Sequence, residues 1–171
     1  MRLLFLLSAL ALLLPPVTLA HPSGAGEGTL SVRDGEGRVT LDIRGTVVGH
    51  LGSGVLEVED PRGNNCDALN VWGAERERWS YRAKDLEAVV FVCRFSGSNI
   101  RFRLVGGLQA VRITRGKDID LSVVGLGVFS LKSVGRPKGG TYSLNGDPYS
   151  PLPDETVVSD LYAPKRPIGN G

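Results

Sequence analysis

The sequence predicts an all-β protein, a single-domain antiparallel β-sandwich or barrel, and three observations support this class. Apolar and polar residues alternate with a period of two along most of the chain after residue 28, as in strands with one buried face. Glycine-containing turn signals separate these segments at intervals of roughly 8 to 12 residues, which is typical of short strands joined by tight turns. The one helical candidate, residues 83–88, is too short for an independent helix.

Residues 1–20 have the layout of a cleavable signal peptide. Arg2 precedes an apolar run over residues 3–14, and a cleavage region with small residues ends at Ala20. Two prolines stop the apolar run, whereas a membrane-spanning helix needs about 20 consecutive apolar residues. We therefore expect a secreted or periplasmic protein with no stable membrane insertion after the signal is removed.

Residues 21–28 are polar and glycine-rich, which predicts a flexible leader before an all-β domain over residues 29–146. Residues 89–92 are apolar at every position, and we expect them to form the most buried strand. The alternating apolar positions that define the other strands are Leu30, Val32, Val39, Leu41, Ile43, Leu56, Val58, Trp79, Tyr81, Ile100, Phe102, Leu104, Val111, Ile113, Ile119, Leu121, Val123, Phe129, Leu131, Tyr142 and Leu144.

Residues 45–59 and 121–132 share an arrangement of strand, glycine pair and second strand. Two explanations fit this internal similarity: a duplicated β-hairpin, or the rungs of a β-solenoid, which is the alternative fold. The remaining segments keep no fixed period, and this favours the hairpin. Residues 147–171 are rich in proline, so we expect an extended tail whose pairing is confined to a sheet edge.

Composition argues against two classes of function. Removing residues 1–20 leaves 19 basic against 18 acidic residues, and this near-neutral balance gives no reason to expect a nucleic-acid partner. The chain contains two histidines and no Gly-x-Ser-x-Gly motif, so general bases and activated serines are scarce. We therefore expect no catalytic residues and a protein that is not an enzyme.

Cys66 and Cys93 are the two cysteines of the chain. An even count in a protein bound for an oxidising compartment predicts that they form a disulfide. Closing a loop of this length would stabilise the fold by about 3.6 kcal/mol if the effect is loss of chain entropy in the unfolded state. Two buried free thiols are the alternative.

The two histidines, His21 and His50, are the basis of an alternative metal site. If cleavage follows Ala20, His21 carries a free N-terminal amine, and together with His50 it offers nitrogen ligands that suit copper. In this one respect the start of the mature chain resembles secreted copper enzymes that act on polysaccharides and periplasmic copper carriers. A turn histidine that faces solvent is the ordinary explanation of Gly49-His50-Leu51-Gly52. We expect no cofactor, with copper as the alternative.

Calcium ranks below copper as an alternative. One segment concentrates oxygen donors, as a calcium loop does, but its spacing matches no EF-hand and a solvated loop explains it. These donors are Glu57, Glu59, Asp60, Asn64, Asn65 and Asp67.

Arginines occupy polar positions on successive predicted strands, so that hairpin pairing can place several on one outer face. They are Arg94, Arg101, Arg103, Arg112 and Arg115. Guanidinium groups bind sulfate, phosphate and carboxylate bidentately, and we expect the first four to bind an anionic ligand. The alternative is a solvated face balanced by acidic residues on neighbouring strands. The leading hypothesis is therefore a non-catalytic binding or structural module of the cell envelope, whose partner is an envelope polymer or protein.

Four segments form a recognisable pattern along the domain. They are Gly28-Thr29-Leu30-Ser31-Val32, then Ile100-Arg101-Phe102-Arg103-Leu104 with Gly106-Gly107, then Ile119-Asp120-Leu121-Ser122, and Thr141-Tyr142-Ser143-Leu144-Asn145-Gly146. This pattern resembles uncharacterised small β-rich proteins that bacteria export. The resemblance implies an exported β-rich fold over nearly the whole domain and implies no activity.

Overall fold

The computed structural model describes residues 26–60, 69–83, 88–134 and 139–163. These residues form seven strands and no helix, which confirms the all-β prediction. The strands are β1 (Gly28–Asp60), β2 (Asn70–Ala83), β3 (Ala88–Leu104), β4 (Leu108–Ser133), β5 (Thr141–Leu144), β6 (Ser150–Pro151) and β7 (Val157–Leu161). Within the same ranges, no helix is long and apolar enough to cross a membrane. The predicted signal peptide, residues 1–20, lies outside the described residues.

The strands belong to one antiparallel sheet with the order β2-β3-β1-β4-β7, and β5 and β6 extend it beside the first part of β1. Every ladder between named strands is antiparallel. A β-solenoid stacks parallel rungs, so the solenoid alternative is wrong. The sheet is also not closed into a barrel, because β2 and β7 end its strand order without pairing with each other.

Strand β4 pairs with β1 along both of its edges. As a result, two adjacent residues of β1 pair with distant parts of β4. Arg44 pairs with Leu108, and Gly45 pairs with Gly125. If residues 108–125 were fully extended, their ends would lie roughly 58 Å apart. Both ends instead meet the same point of β1, so β4 curves strongly and the sheet folds back on itself.

Two glycines allow β1 and β4 to approach closely where the sheet folds back on itself. Gly45 and Gly125 pair with each other, and a Cβ at either position would collide with a backbone carbonyl oxygen, that of Val124 or that of Arg44. No side chain other than hydrogen fits where the backbones approach so closely. Gly45 and Gly125, one from each of the similar segments 45–59 and 121–132, therefore lie where β1 and β4 approach closely.

The folded sheet encloses one hydrophobic core. Seventeen of the 21 apolar positions predicted from alternation are buried in it, because successive side chains of a strand point to opposite faces. Tyr142 and Leu144 are partly buried against this core, and the side chains of Trp79 and Tyr81 lie outside the described part of the structure. Residues 89–92 depart from the expectation of a strand buried on both faces, since Val90 and Val92 are buried but Phe91 is only partly so. The largest fully buried side chains are Phe102, Leu30, Leu41, Ile43, Leu51 and Leu56.

Part of the proline-rich segment completes the sheet. Strand β6 pairs with β5, and β7 pairs with the last part of β4 as an edge strand. Leu152 and Leu161 anchor the segment by packing into the core. As a result, the residues just before β6 are held against the outer face of the first part of β1.

Candidate functional site

A shallow groove with a volume of about 620 Å³ lies on the outer face of the folded sheet. This size falls within the range of small-molecule sites. Strand pairing sets a row of side chains across it, since Trp72 of β2 pairs with Arg101 of β3, Arg101 with His50 of β1, and His50 with Asp120 of β4. Tyr149, in the segment before β6, lines the other end.

Alternation along β3 explains why two arginines face the groove. Arg101 and Arg103 are exposed on either side of Phe102, which is buried beneath them. Phe102 pairs with Gly49, and a Cβ on that glycine would collide with the Phe102 ring. The glycine beside His50 therefore lets the phenylalanine ring pack directly under the floor of the groove.

The groove carries an excess of positive charge. Arg33, Arg101 and Arg103 line it together with one carboxylate, Asp120, which gives a formal charge of +2 with His50 neutral. Among the described residues, no carboxylate forms an ion pair with Arg101 or Arg103. Their guanidinium groups therefore keep their donors available for a ligand.

Exposed aromatic rings stand at the two ends of the row. Trp72 is 57% exposed, which is unusual for a side chain of its apolar area, and Tyr149 is 39% exposed. The guanidinium carbon of Arg33 lies 4.2 Å from the centroid of the Tyr149 ring, in a cation–π contact. This contact holds the tyrosine ring and the arginine at the same end of the groove.

His50 lies at the centre of the groove between two oxygen acceptors. Its Nε2 lies within hydrogen-bond distance of Asn99 Oδ1, at 2.9 Å, and its Nδ1 lies 4.0 Å from Asp120 Oδ2. The backbone N–H of Asp34 donates to Asp120 Oδ1 at 3.1 Å. The imidazole and the carboxylate therefore lie side by side.

The other predicted arginines lie away from the groove. Arg94 and Arg112 flank Glu57 from neighbouring strands, each with a guanidinium nitrogen 3.9 Å from a Glu57 carboxylate oxygen. Arg94 also lies 3.8 Å from Glu77. The structure thus divides the predicted set of four into one pair that faces the groove and one pair that is already matched by carboxylates. Arg115 lines a different surface depression.

The predicted metal ligands are not brought together within the described ranges. His21 lies outside them, as do Asn64, Asn65 and Asp67 of the calcium segment. The part of the chain that the structure describes contains no group of three or more histidine, cysteine, aspartate or glutamate side chains that could hold a metal ion. Glu57 of the calcium segment is engaged by two arginines instead.

The disulfide stays a prediction, because Cys66 also lies outside the described residues. Cys93 is fully buried and belongs to the core cluster. A partner for it therefore has to approach from the interior side of β3.

The predicted site residues did not include Arg33, Trp72, Asp120 or Tyr149, which supply charge or exposed rings to the groove. Arg33, Trp72 and Asp120 lie on three different strands and Tyr149 precedes β6, so only the pairing of distant strands brings them together. No known protein family, curated protein or solved structure matches this chain. The geometry of the groove is therefore the basis on which a function can be proposed.

Proposed function

We propose that the protein is a non-catalytic binding module of the cell envelope and that it holds an anionic ligand in the groove between Trp72 and Tyr149. The observation that carries this proposal is the convergence of Arg33, Arg101 and Arg103 on one groove with a single carboxylate. Guanidinium groups are the side chains best suited to carboxylate, sulfate and phosphate, since each presents a planar fork of donors.

The contrast with the second arginine pair supports the same conclusion. Arg94 and Arg112 are close to Glu57, so part of their charge is already compensated within the protein. Arg101 and Arg103 project from a strand of the folded sheet with no such compensation among the described residues. Side chains fixed on a strand lose less freedom on binding than side chains on a loose loop.

The cell-envelope part of the proposal rests on the predicted signal peptide over residues 1–20. An exported protein meets anionic polymers at the cell surface. A groove open along its length, rather than an enclosed cavity, suits a segment of such a polymer.

Retention on immobilised polyanions tests the proposal. The purified protein is applied to heparin and polyphosphate columns and eluted with NaCl, because binding through summed charge weakens as salt rises. We expect retention by both columns and its loss in the Arg101→Ser/Arg103→Ser variant. The matched control, Arg94→Ser/Arg112→Ser, removes the same two charges elsewhere and should still be retained.

Two results would refute the proposal. One is passage of the unaltered protein through both columns without retention at low salt. The other is equal loss of retention in the two double variants, which would show that net charge rather than the groove governs binding.

A further inference from the structure

The groove offers three kinds of contact rather than positive charge alone. Its arginines suit anionic groups, its two exposed rings at the ends suit flat apolar faces, and Asp120 in the middle suits hydrogen-bond donors. A simple polyanion would use only the first of these. The three kinds of contact together therefore restrict the chemistry of the ligand further than positive charge alone does.

Asp120 is the most informative of these residues. Its side chain is 56% exposed, and Oδ1 accepts the Asp34 N–H while Oδ2 faces the groove beside His50. A carboxylate at this place repels a phosphate or sulfate next to it, but it accepts hydrogen bonds from hydroxyl groups. The ligand that fits must carry hydroxyl donors between its anionic groups.

The aromatic rings give the second constraint. Trp72 exposes a large apolar face to solvent, and covering such a face is favourable. A sugar ring presents C–H groups on one face and hydroxyls around its edge, so it packs on an indole while its hydroxyls reach polar neighbours. Trp72 pairs with Arg101 across the strands, which places a guanidinium beside the ring.

The spacing of the rings sets the length of the ligand. Arg33 contacts the Tyr149 ring and so marks its end of the groove. Four strand-to-strand steps separate Arg33 from Trp72, through β4, the middle of β1, and β3, and they correspond to roughly 19 Å. Stacked bases of a single-stranded nucleic acid use closely spaced aromatic platforms, whereas these two rings stand at opposite ends. The separation suits a chain of several units that touches the rings only at its ends.

From these contacts, and resting on the proposed function, we infer that the ligand is an acidic oligosaccharide, a chain of sugars that bears carboxylate or sulfate groups. One terminal sugar packs on Trp72 and the other approaches Tyr149. Arg101, Arg103 and Arg33 hold the acidic groups, and Asp120 accepts hydroxyls in the middle.

Calorimetric titration of the purified protein with four probes tests the inference. The probes are oligogalacturonate, a neutral malto-oligosaccharide of similar length, polyphosphate and oligo(dT). We expect oligogalacturonate to bind about tenfold or more tightly than each of the others, since a tenfold gain corresponds to the net contribution of only about one or two added hydrogen bonds.

Replacing Trp72 separates stacking from charge. Trp72→Ala is expected to weaken oligogalacturonate binding by about tenfold and to leave polyphosphate binding within about twofold. Trp72→Phe should restore most of the loss, since a ring returns. Leu108→Ala, which truncates another exposed apolar side chain outside the groove, should change neither.

The failures of the two proposals are distinguishable. Equal binding of oligogalacturonate and polyphosphate, with neither affected by Trp72→Ala, overturns the inference and leaves the anionic groove standing. Tightest binding of oligo(dT), with dependence on Trp72, also overturns it in favour of a nucleic acid. Absence of binding by every anionic probe overturns the proposed function as well.

Discussion

Arg33 and Tyr149 are in direct contact, with the guanidinium carbon 4.2 Å from the centre of the tyrosine ring. The contact joins the first part of β1 to the segment before β6, which are distant in sequence. It places a cation and an aromatic face at one end of the groove, opposite Trp72 and Arg101. The end that holds Arg33 is therefore built by the proline-rich segment as much as by the domain before it.

Tyr149→Ala is expected to weaken retention on heparin, because Arg33 loses the ring that orients it and the groove loses one wall. A cation–π contact at an exposed site contributes about 0.5–1 kcal/mol, so elution should move to lower NaCl without being abolished. Tyr149→Phe keeps the ring and should elute with the unaltered protein. Unchanged elution of Tyr149→Ala would show that this end of the groove takes no part in binding.

Gly45→Ala is expected to destabilise the protein by roughly 2 kcal/mol or more, because the new methyl group would collide with the Val124 carbonyl oxygen where the strands cross. Urea unfolding followed by fluorescence measures the change. Gly26→Ala is the matched control, since its Cβ would lie 3.6 Å from the Ala163 Cβ, an ordinary contact distance. If the two variants unfold at the same urea concentration, the close crossing at Gly45 is not present in solution.

The predicted disulfide has a measurable consequence for stability. Dithiothreitol is expected to lower the free energy of unfolding by about 3.6 kcal/mol if Cys66 and Cys93 are paired and chain entropy is the cause. The double variant Cys66→Ala/Cys93→Ala should unfold at the same urea concentration with and without the reductant. Detection of two reactive thiols in the denatured, unreduced protein would contradict the pairing.

The burial pattern of the strands could be predicted because it is a local property. Arg101 and Arg103 are two residues apart on one strand, so their side chains necessarily share a face, and the buried Phe102 between them shows which face it is. Alternation along the other strands predicts most of the core in the same way, because the face on which a side chain lies does not depend on which strands are neighbours.

The composition of the site could not be predicted in the same way. Arg94 and Arg112 meet the same local criteria as Arg101 and Arg103, yet register places Glu57 between them. Which residue lies opposite another on a neighbouring strand depends on long-range pairing. A shift of register by one residue would turn a side chain to the opposite face.

The order of neighbouring residues is enough to predict a β protein, the alternation along its strands, and the side chains that face inward, since each of these is a local property. Long-range pairing alone folds β4 so that its residues Leu108 and Gly125 pair with the adjacent Arg44 and Gly45 of β1. That folding places Trp72 and Tyr149 at the two ends of one groove. The physical reason is that backbone hydrogen bonds between strands are alike in every register, and the packing of the whole core selects one of them.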